Sequence, residues 1–317
     1  MVGLGCWQLG ADWGEVSDDD ALTTLHAAAD AGVTCFDTAD VYGDGRSERL
    51  VGRMRAERIA DEEEPVFVAT KLGRRANPHV LEAFTREAMA AWIDRSRTNL
   101  RMDTLDLVQL HCPPTPVFAD DAVFDALDGF VAQGRIAAYG VSVETCAEAL
   151  AAIERPGVAS VQIILNAFRR KPLDAVLPAA AAAGVAIIAR VPLASGLLTG
   201  RYDESTTFPA DDHRTYNRHG EAFDVGETFS GVPYDVGVQA AREIAALTPP
   251  GWSTAQLALR WVLDQPGVSA VIPGARNARQ ALDNVVAAHL DPLPGATLAA
   301  MADIYDHHIR RHVHDRW

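Results

Sequence analysis

Eight short apolar runs, separated by helical patterns, constrain this 317-residue chain more than any single motif does. They are MVGLGCW (1–7), VTCFDT (33–38), VFVATK (66–71), LDLVQLH (105–111), IAAYGVS (136–142), VASVQIILN (158–166), VAIIARV (185–191) and VSAVIPG (268–274). Most are nearly continuous rather than alternating, which suits parallel strands buried on both faces. Helical patterns fall at 17–32, 46–57, 79–102, 120–134, 143–154 and 173–184, then at 236–248, 253–264 and 277–289. Ser17 reads as an N-cap with acids in the first turn, and Gly32 as the stop of the same helix. Pro178 marks a start or a kink in the sixth pattern. Right-handed crossovers between parallel strands would close these units into a (β/α)8 TIM barrel, read as one domain over 1–317. The rival is an open doubly wound sheet, which needs G-x-G-x-x-G after its first strand. In GLGCWQLG the third glycine would fall at Gln8, and no helix starts there, so that fold is rejected.

Composition narrows the function. The chain is 48% hydrophobic and 22% charged, enough for a sizeable core. Its 43 acids against 28 bases give a net charge of −15, which argues against a nucleic-acid partner but not against a phosphate-bearing cofactor held by local cations. Cys6, Cys35, Cys112 and Cys146 are widely spaced and read as reduced thiols, without a disulfide or zinc framework. Neither a signal peptide nor a membrane-spanning run is legible, so a soluble cytoplasmic protein with no membrane partner is expected. Residues 194–235 form a long polar loop after the seventh strand, expected to cover a site. Residues 292–317 make a charged helical tail. Some pairs among its His307, His308, His312 and His314 are four or five apart, too weak a signal for metal binding.

In such a barrel chemistry gathers where strands end. The second strand ends with Asp37 and, one loop later, Tyr42. The third ends with Lys71, the fourth with His111 and the fifth with Ser142. The sixth offers Gln162 and Asn166, and the seventh Arg190. Singly, each has a dull reading as a turn residue, a polar exit or a core histidine. Together they describe a general acid. A tyrosine is a poor acid at neutral pH, a neighbouring ammonium lowers its pKa, and a carboxylate holds that ammonium in place. Histidine can orient a carbonyl. The set needs no metal, but hydride must come from a cofactor.

These stretches resemble the aldo-keto reductases. FDTADVYGDGRSERLVG, VFVATKLG, LDLVQLHCP, YGVS, VQIILN, VPLASGLLTG and VIPGARNARQALDNVVAA occur in the family's order across nearly the whole chain. The resemblance implies a tetrad of Asp37, Tyr42, Lys71 and His111 with Tyr42 as acid and base, and an extended NADPH bound without a Rossmann motif. By the same resemblance Ser142 and Gln162 hold the carboxamide, and Arg190, Pro192, Leu193 and Gly274 line the cofactor groove. Arg276, Gln280 and Asn284 match the segment holding the 2′-phosphate and adenine, with Arg279 a rival for the phosphate. A helix N-terminus there would itself favour an anion.

Four departures stand out. The sequence starts inside VGLGCW, where family members often place a hairpin first, so the barrel floor is expected to lack that plug unless the start is truncated. Val143 stands where many members have asparagine. Arg190 replaces an aromatic that stacks on nicotinamide, though a guanidinium can also lie flat on a ring. The 194–235 loop matches nothing. Trp7 is expected in the substrate pocket, with Trp13 and Phe118 as further candidates. Cys112, beside His111, reads as a buried inert thiol. The leading expectation is an NADPH-dependent reductase of a small aldehyde or ketone. The alternative is a reductase-like subunit that reports cofactor redox state to a partner protein. A metal hydrolase built on Asp37 and Asp40 lacks a ligand set, and Asp40 reads as a turn residue.

Overall fold

The computed structural model describes residues 1–10 and 16–317. Eight parallel strands form one sheet in sequence order: β1 Leu4–Gly5, β2 Cys35–Asp37, β3 Phe67–Leu72, β4 Leu105–His111, β5 Ile136–Ser142, β6 Val158–Ile164, β7 Ala186–Arg190 and β8 Val268–Val271. Parallel bridges Val2–Val271 and Gly5–Gly274 bring the two edges together, so the sheet closes into the expected (β/α)8 barrel. Two apolar clusters follow from the alternation of faces. The larger fills the space between sheet and helices. The smaller, of Ala69, Leu107, Ile188 and Ile272, plugs the barrel interior.

Helices cover the strands: α1 Asp18–Asp30, α2 Arg46–Ala60, α3 Arg86–Leu100, α4 Asp121–Ala132, α5 Cys146–Ile153 and α6 Val176–Ala183. They continue as α7 His213–Tyr216, α8 Tyr234–Ala245, α9 Thr254–Leu263, α10 Ala278–Val286, α11 Gly295–Ile304 and α12 Arg310–Val313. Ser17 caps α1 by accepting from the Asp20 amide at 3.1 Å. The helix expected at 79–102 starts later. Thr85 caps α3 by accepting from the Ala88 amide at 3.2 Å, and only a 3₁₀ turn, Leu81–Ala83, precedes it. Pro178 sits in the first turn of α6, where a missing N–H costs nothing. No helix among the described residues is long and apolar enough to cross a membrane.

The 194–235 segment is not a bare loop. It folds as 3₁₀ turns at Ala194–Thr199, Val225–Glu227 and Phe229–Gly231 around the short α7. Ser195 Oγ donates to the Glu227 carbonyl at 3.1 Å and accepts from the Phe229 amide at 3.0 Å. Asn166 Nδ2, at the end of β6, donates to Ser230 Oγ at 2.8 Å. The final residue, Trp317, donates from Nε1 to Asp224 at 2.9 Å and lies under the Arg169 guanidinium at 3.7 Å. Gly231 has φ +75°, and a Cβ there would come within 2.4 Å of the Trp317 ring. The tail thus braces the part of the loop that carries Glu227.

Candidate active site

Strand register assembles the site. Lys71 pairs with Gln109 across β3 and β4, and His111, Ser142 and Gln162 align across β4, β5 and β6. Since side chains alternate faces, Asp37, Lys71, Gln109, His111, Ser142, Gln162 and Arg190 share the inward face above the apolar plug. Lys71 forms an ion pair with Asp37 Oδ1 and donates to the Thr38 carbonyl at 2.9 Å. The other carboxylate oxygen of Asp37 accepts from Gln162 Nε2 at 2.7 Å and from Gln109 Nε2 at 3.3 Å. Lys71 Nζ stands 3.4 Å from the Tyr42 hydroxyl. Gly43 lets Tyr42 approach: at φ +56°, its Cβ would lie 2.2 Å from the Gly10 carbonyl oxygen. Trp7 stacks on the Tyr42 ring at 5.9 Å, and His111 meets its edge at 5.9 Å.

Electrostatics correct one expectation. Burial raises the Tyr42 pKa above its ordinary value, and the pull of Lys71 offsets this only in part. The lysine acts in the expected direction, but desolvation wins. Burial, then the cations Arg74, Lys71 and Arg190, hold His111 well below the usual histidine range, so its imidazole is neutral.

A second buried ion cluster lies beside His111. Arg190 donates from Nη2 to Glu144 Oε2 at 2.9 Å and to the Val143 carbonyl at 3.1 Å. Arg74 donates from Nη2 to Glu227 Oε1 at 2.7 Å, and Arg190 Nη1 lies 3.7 Å from Glu227 Oε2. Cys112, Glu144 and Glu227 offer ligand atoms within 4.8 Å of one another, but these two guanidiniums already neutralise the carboxylates. Cys112 is only partly buried as a residue, against the expectation, although desolvation of its sulfur, with Glu144 nearby, raises the thiol above its ordinary value.

A cavity of about 660 Å³ runs from Trp7, Tyr42 and His111 past Ser142, Gln162, Arg190, Pro192 and Leu193 to Gly274, Arg276, Gln280 and Asn284. Lys71 sits behind this wall, 1% exposed, in contact with Tyr42 and Asp37, which line the cavity. At the far end Asn277 caps α10 and the Arg276 amide donates to Gln280 Oε1 at 2.9 Å. Arg276 and Arg279 both line the groove, and Arg279 stands 3.9 Å from Asp283. Asn284 Nδ2 donates to the Gly274 carbonyl at 3.2 Å. Phe118 does not belong here, being buried in the outer core. Trp13 lies outside the described residues. The tail histidines go to separate partners, His308 to Glu243 and His314 to Tyr305 and Asp174.

Residues 1–306 match the model of the aldo/keto reductase family. The chain belongs to that family. It is 30% identical over 281 residues to the aldo-keto reductase YhdN of Bacillus subtilis, an alignment covering 88% of this chain and 82% of that one. A glycerol dehydrogenase from Gluconobacter oxydans superposes with a TM-score of 0.77 at 31% identity, over 99% of this chain and 92% of the other. An aldo-keto reductase from Klebsiella pneumoniae, solved in complex with NADPH, shares the fold at TM-score 0.69 and 24% identity, over 96% and 90% of the two chains.

Against this aldo/keto reductase frame, four polar residues at the site went unread in the sequence. Gln109 sits mid-strand among apolar neighbours, and a polar residue inside LDLVQLH was the available signal. Arg74, Glu144 and Glu227 lie in connections. The one cue was Arg190 itself, since a cation ending a buried strand needs carboxylates nearby.

Proposed function

We propose that this enzyme reduces an aldehyde or ketone to an alcohol with NADPH, and that Tyr42 supplies the proton. The observation that carries this reading is the Tyr42 hydroxyl, 3.4 Å from Lys71 Nζ, on the cavity wall with His111. The chemistry of the cavity fits an extended dinucleotide. Ser142 and Gln162 offer a hydroxyl and an amide at the reacting end, and Arg276 at the start of α10 suits a phosphate. NADPH in the Klebsiella pneumoniae structure supports the same cofactor here. When bound, the cofactor supplies hydride to the carbonyl carbon.

The residues do the rest. Tyr42 keeps its proton at neutral pH because burial raises its pKa, so it meets the substrate as a donor. As the carbonyl oxygen gains negative charge it takes the Tyr42 proton, and Lys71 steadies the phenolate left behind. Asp37 keeps Lys71 charged and aimed. Trp7, Tyr42 and His111 form one wall of the cavity at this end. The test is loss of NADPH absorbance across a panel of aldehydes and ketones. Tyr42→Phe should lower kcat by about a hundredfold or more while NADPH still binds. Tight NADPH binding without turnover of any carbonyl compound would overturn the reading in favour of a cofactor-sensing subunit.

A further inference from the structure

Arg74 stands three positions after Lys71 in the chain and makes two directed contacts at the site. Its Nη1 lies 3.4 Å from His111 Nε2, and its Nη2 donates to Glu227 Oε1 at 2.7 Å. A guanidinium carries only donors, so the contact with histidine runs one way, from N–H into the lone pair of Nε2. A neutral imidazole has one such lone pair and one N–H. With Nε2 accepting, the ring proton belongs on Nδ1, which is buried and has no hydrogen-bond partner among the described residues. Lys71, Arg190 and His79 also face the ring electrostatically, Tyr42 meets it edge-on, and Cys112 follows it in the chain. Glu227 bears on it through Arg74. None of the cations among them favours an imidazolium.

We infer that Arg74, held by Glu227, is a positioning residue that fixes His111 as the neutral Nδ1–H tautomer and leaves protonation of the substrate to Tyr42. The inference rests on the proposed reduction for its consequence, though not for its geometry. While Arg74 occupies Nε2, that nitrogen cannot donate to a carbonyl oxygen. Glu227 comes from the 3₁₀ turn Val225–Glu227 of the long loop, so the tautomer of a barrel residue depends on that loop being seated.

The test is NMR of enzyme labelled with [15N]histidine, with His111 signals identified by their loss in His111→Gln. The substrate-free parent should show the Nδ1–H pattern for His111 between about pH 6 and 8. In Arg74→Met the pattern should change to Nε2–H, with an ionisation rising toward the ordinary value of ~6.5. The same ionisation should enter the pH profile of kcat/KM. Glu227→Gln, which keeps Arg74 but loosens it, should give a smaller shift in the same direction. An Nε2–H pattern in the parent, or an unchanged tautomer and profile in Arg74→Met, would overturn the inference. Because the spectrum, assigned with His111→Gln, needs no turnover, it stands even if no carbonyl substrate is found.

Discussion

Two ion clusters border the cavity, one built on strands and the other mostly on connections. Asp37 and Lys71 end neighbouring strands, and their pairing follows from the register of β2 and β3. Arg190 alone among the second group sits on a strand. Arg74, Glu144 and Glu227 come from three separate connections. The first cluster is one cation against one carboxylate, with two glutamine donors completing the shell. The second sets two cations against two carboxylates whose protonation differs. Burial pushes Glu144 up to about 7, with Glu227 adding to the effect. Burial also works against Glu227, but Arg74 and Arg190 prevail and hold it at about 2. The strand-built pair is therefore fixed in position. The connection-built group can take up a proton near neutral pH at Glu144, and its geometry depends on the folded path of 194–235.

Removing one cation from each cluster separates their roles. Lys71→Met should cost most in chemistry, about a thousandfold in kcat, because the Tyr42 phenolate loses its counter-charge. NADPH affinity should change little, since Lys71 lies behind the cavity wall. A fall in kcat below tenfold would break the assignment of the strand-built pair as the proton machinery.

Arg190→Met should show its effect in stability. It leaves two buried carboxylates with one guanidinium, and breaking a buried pair in this way costs about 3–5 kcal/mol. The sign of the pH dependence follows from Glu144. Its folded pKa already lies above the ordinary carboxylate value, and loss of Arg190 raises it further. A raised carboxyl pKa contributes stability that is lost as pH rises through it, so the variant should be weaker at pH 8 than at about pH 6. Urea unfolding of parent and variant at both pH values measures this. Equal losses at the two would mean that Glu144 does not titrate.

The same division decides what could be read from the sequence. The barrel was legible because eight apolar runs alternate with capped helical patterns, and parallel strands must then close or stay open. The strand-end residues were legible because Asp37, Lys71 and His111 interrupt apolar runs, and register alone brings such residues together. Glu227 lies 37 positions after Arg190 (227 − 190) in a polar stretch where one acid looks like another. Only the folded path of 194–235, braced by Trp317, selects it. The rise in the Tyr42 pKa was hidden for a related reason. A neighbouring lysine can be inferred from a motif, whereas the desolvation that outweighs it depends on the packing of Trp7 and His111 around the ring.

Asp40 gives a third arrangement and the smallest expected effect. It lies in the turn expected for it, but it is fully buried and neither carboxylate oxygen has a hydrogen-bond partner among the described residues. Arg95 and Arg75 approach its carbonyl instead, at 2.9 and 3.4 Å. Burial, reinforced by Glu48, pushes its pKa up to about 7 against the pull of those arginines. In the unfolded chain the group ionises near ~3.9, so the folded state holds an extra proton between the two values. Stability should therefore fall as pH rises from about 4 to about 7 and then level off. Asp40→Asn removes the charge while keeping the shape, and a buried neutral amide costs less than a buried carboxylate. The variant should melt about 2–4 °C higher at pH 8 and match the parent near pH 4. Its kcat should stay within about twofold of the parent, because Asp40 does not line the cavity. A lower Tm at pH 8 would show that Arg75 and Arg95 stabilise the Asp40 carboxylate by more than its burial costs, making it a third paired cluster.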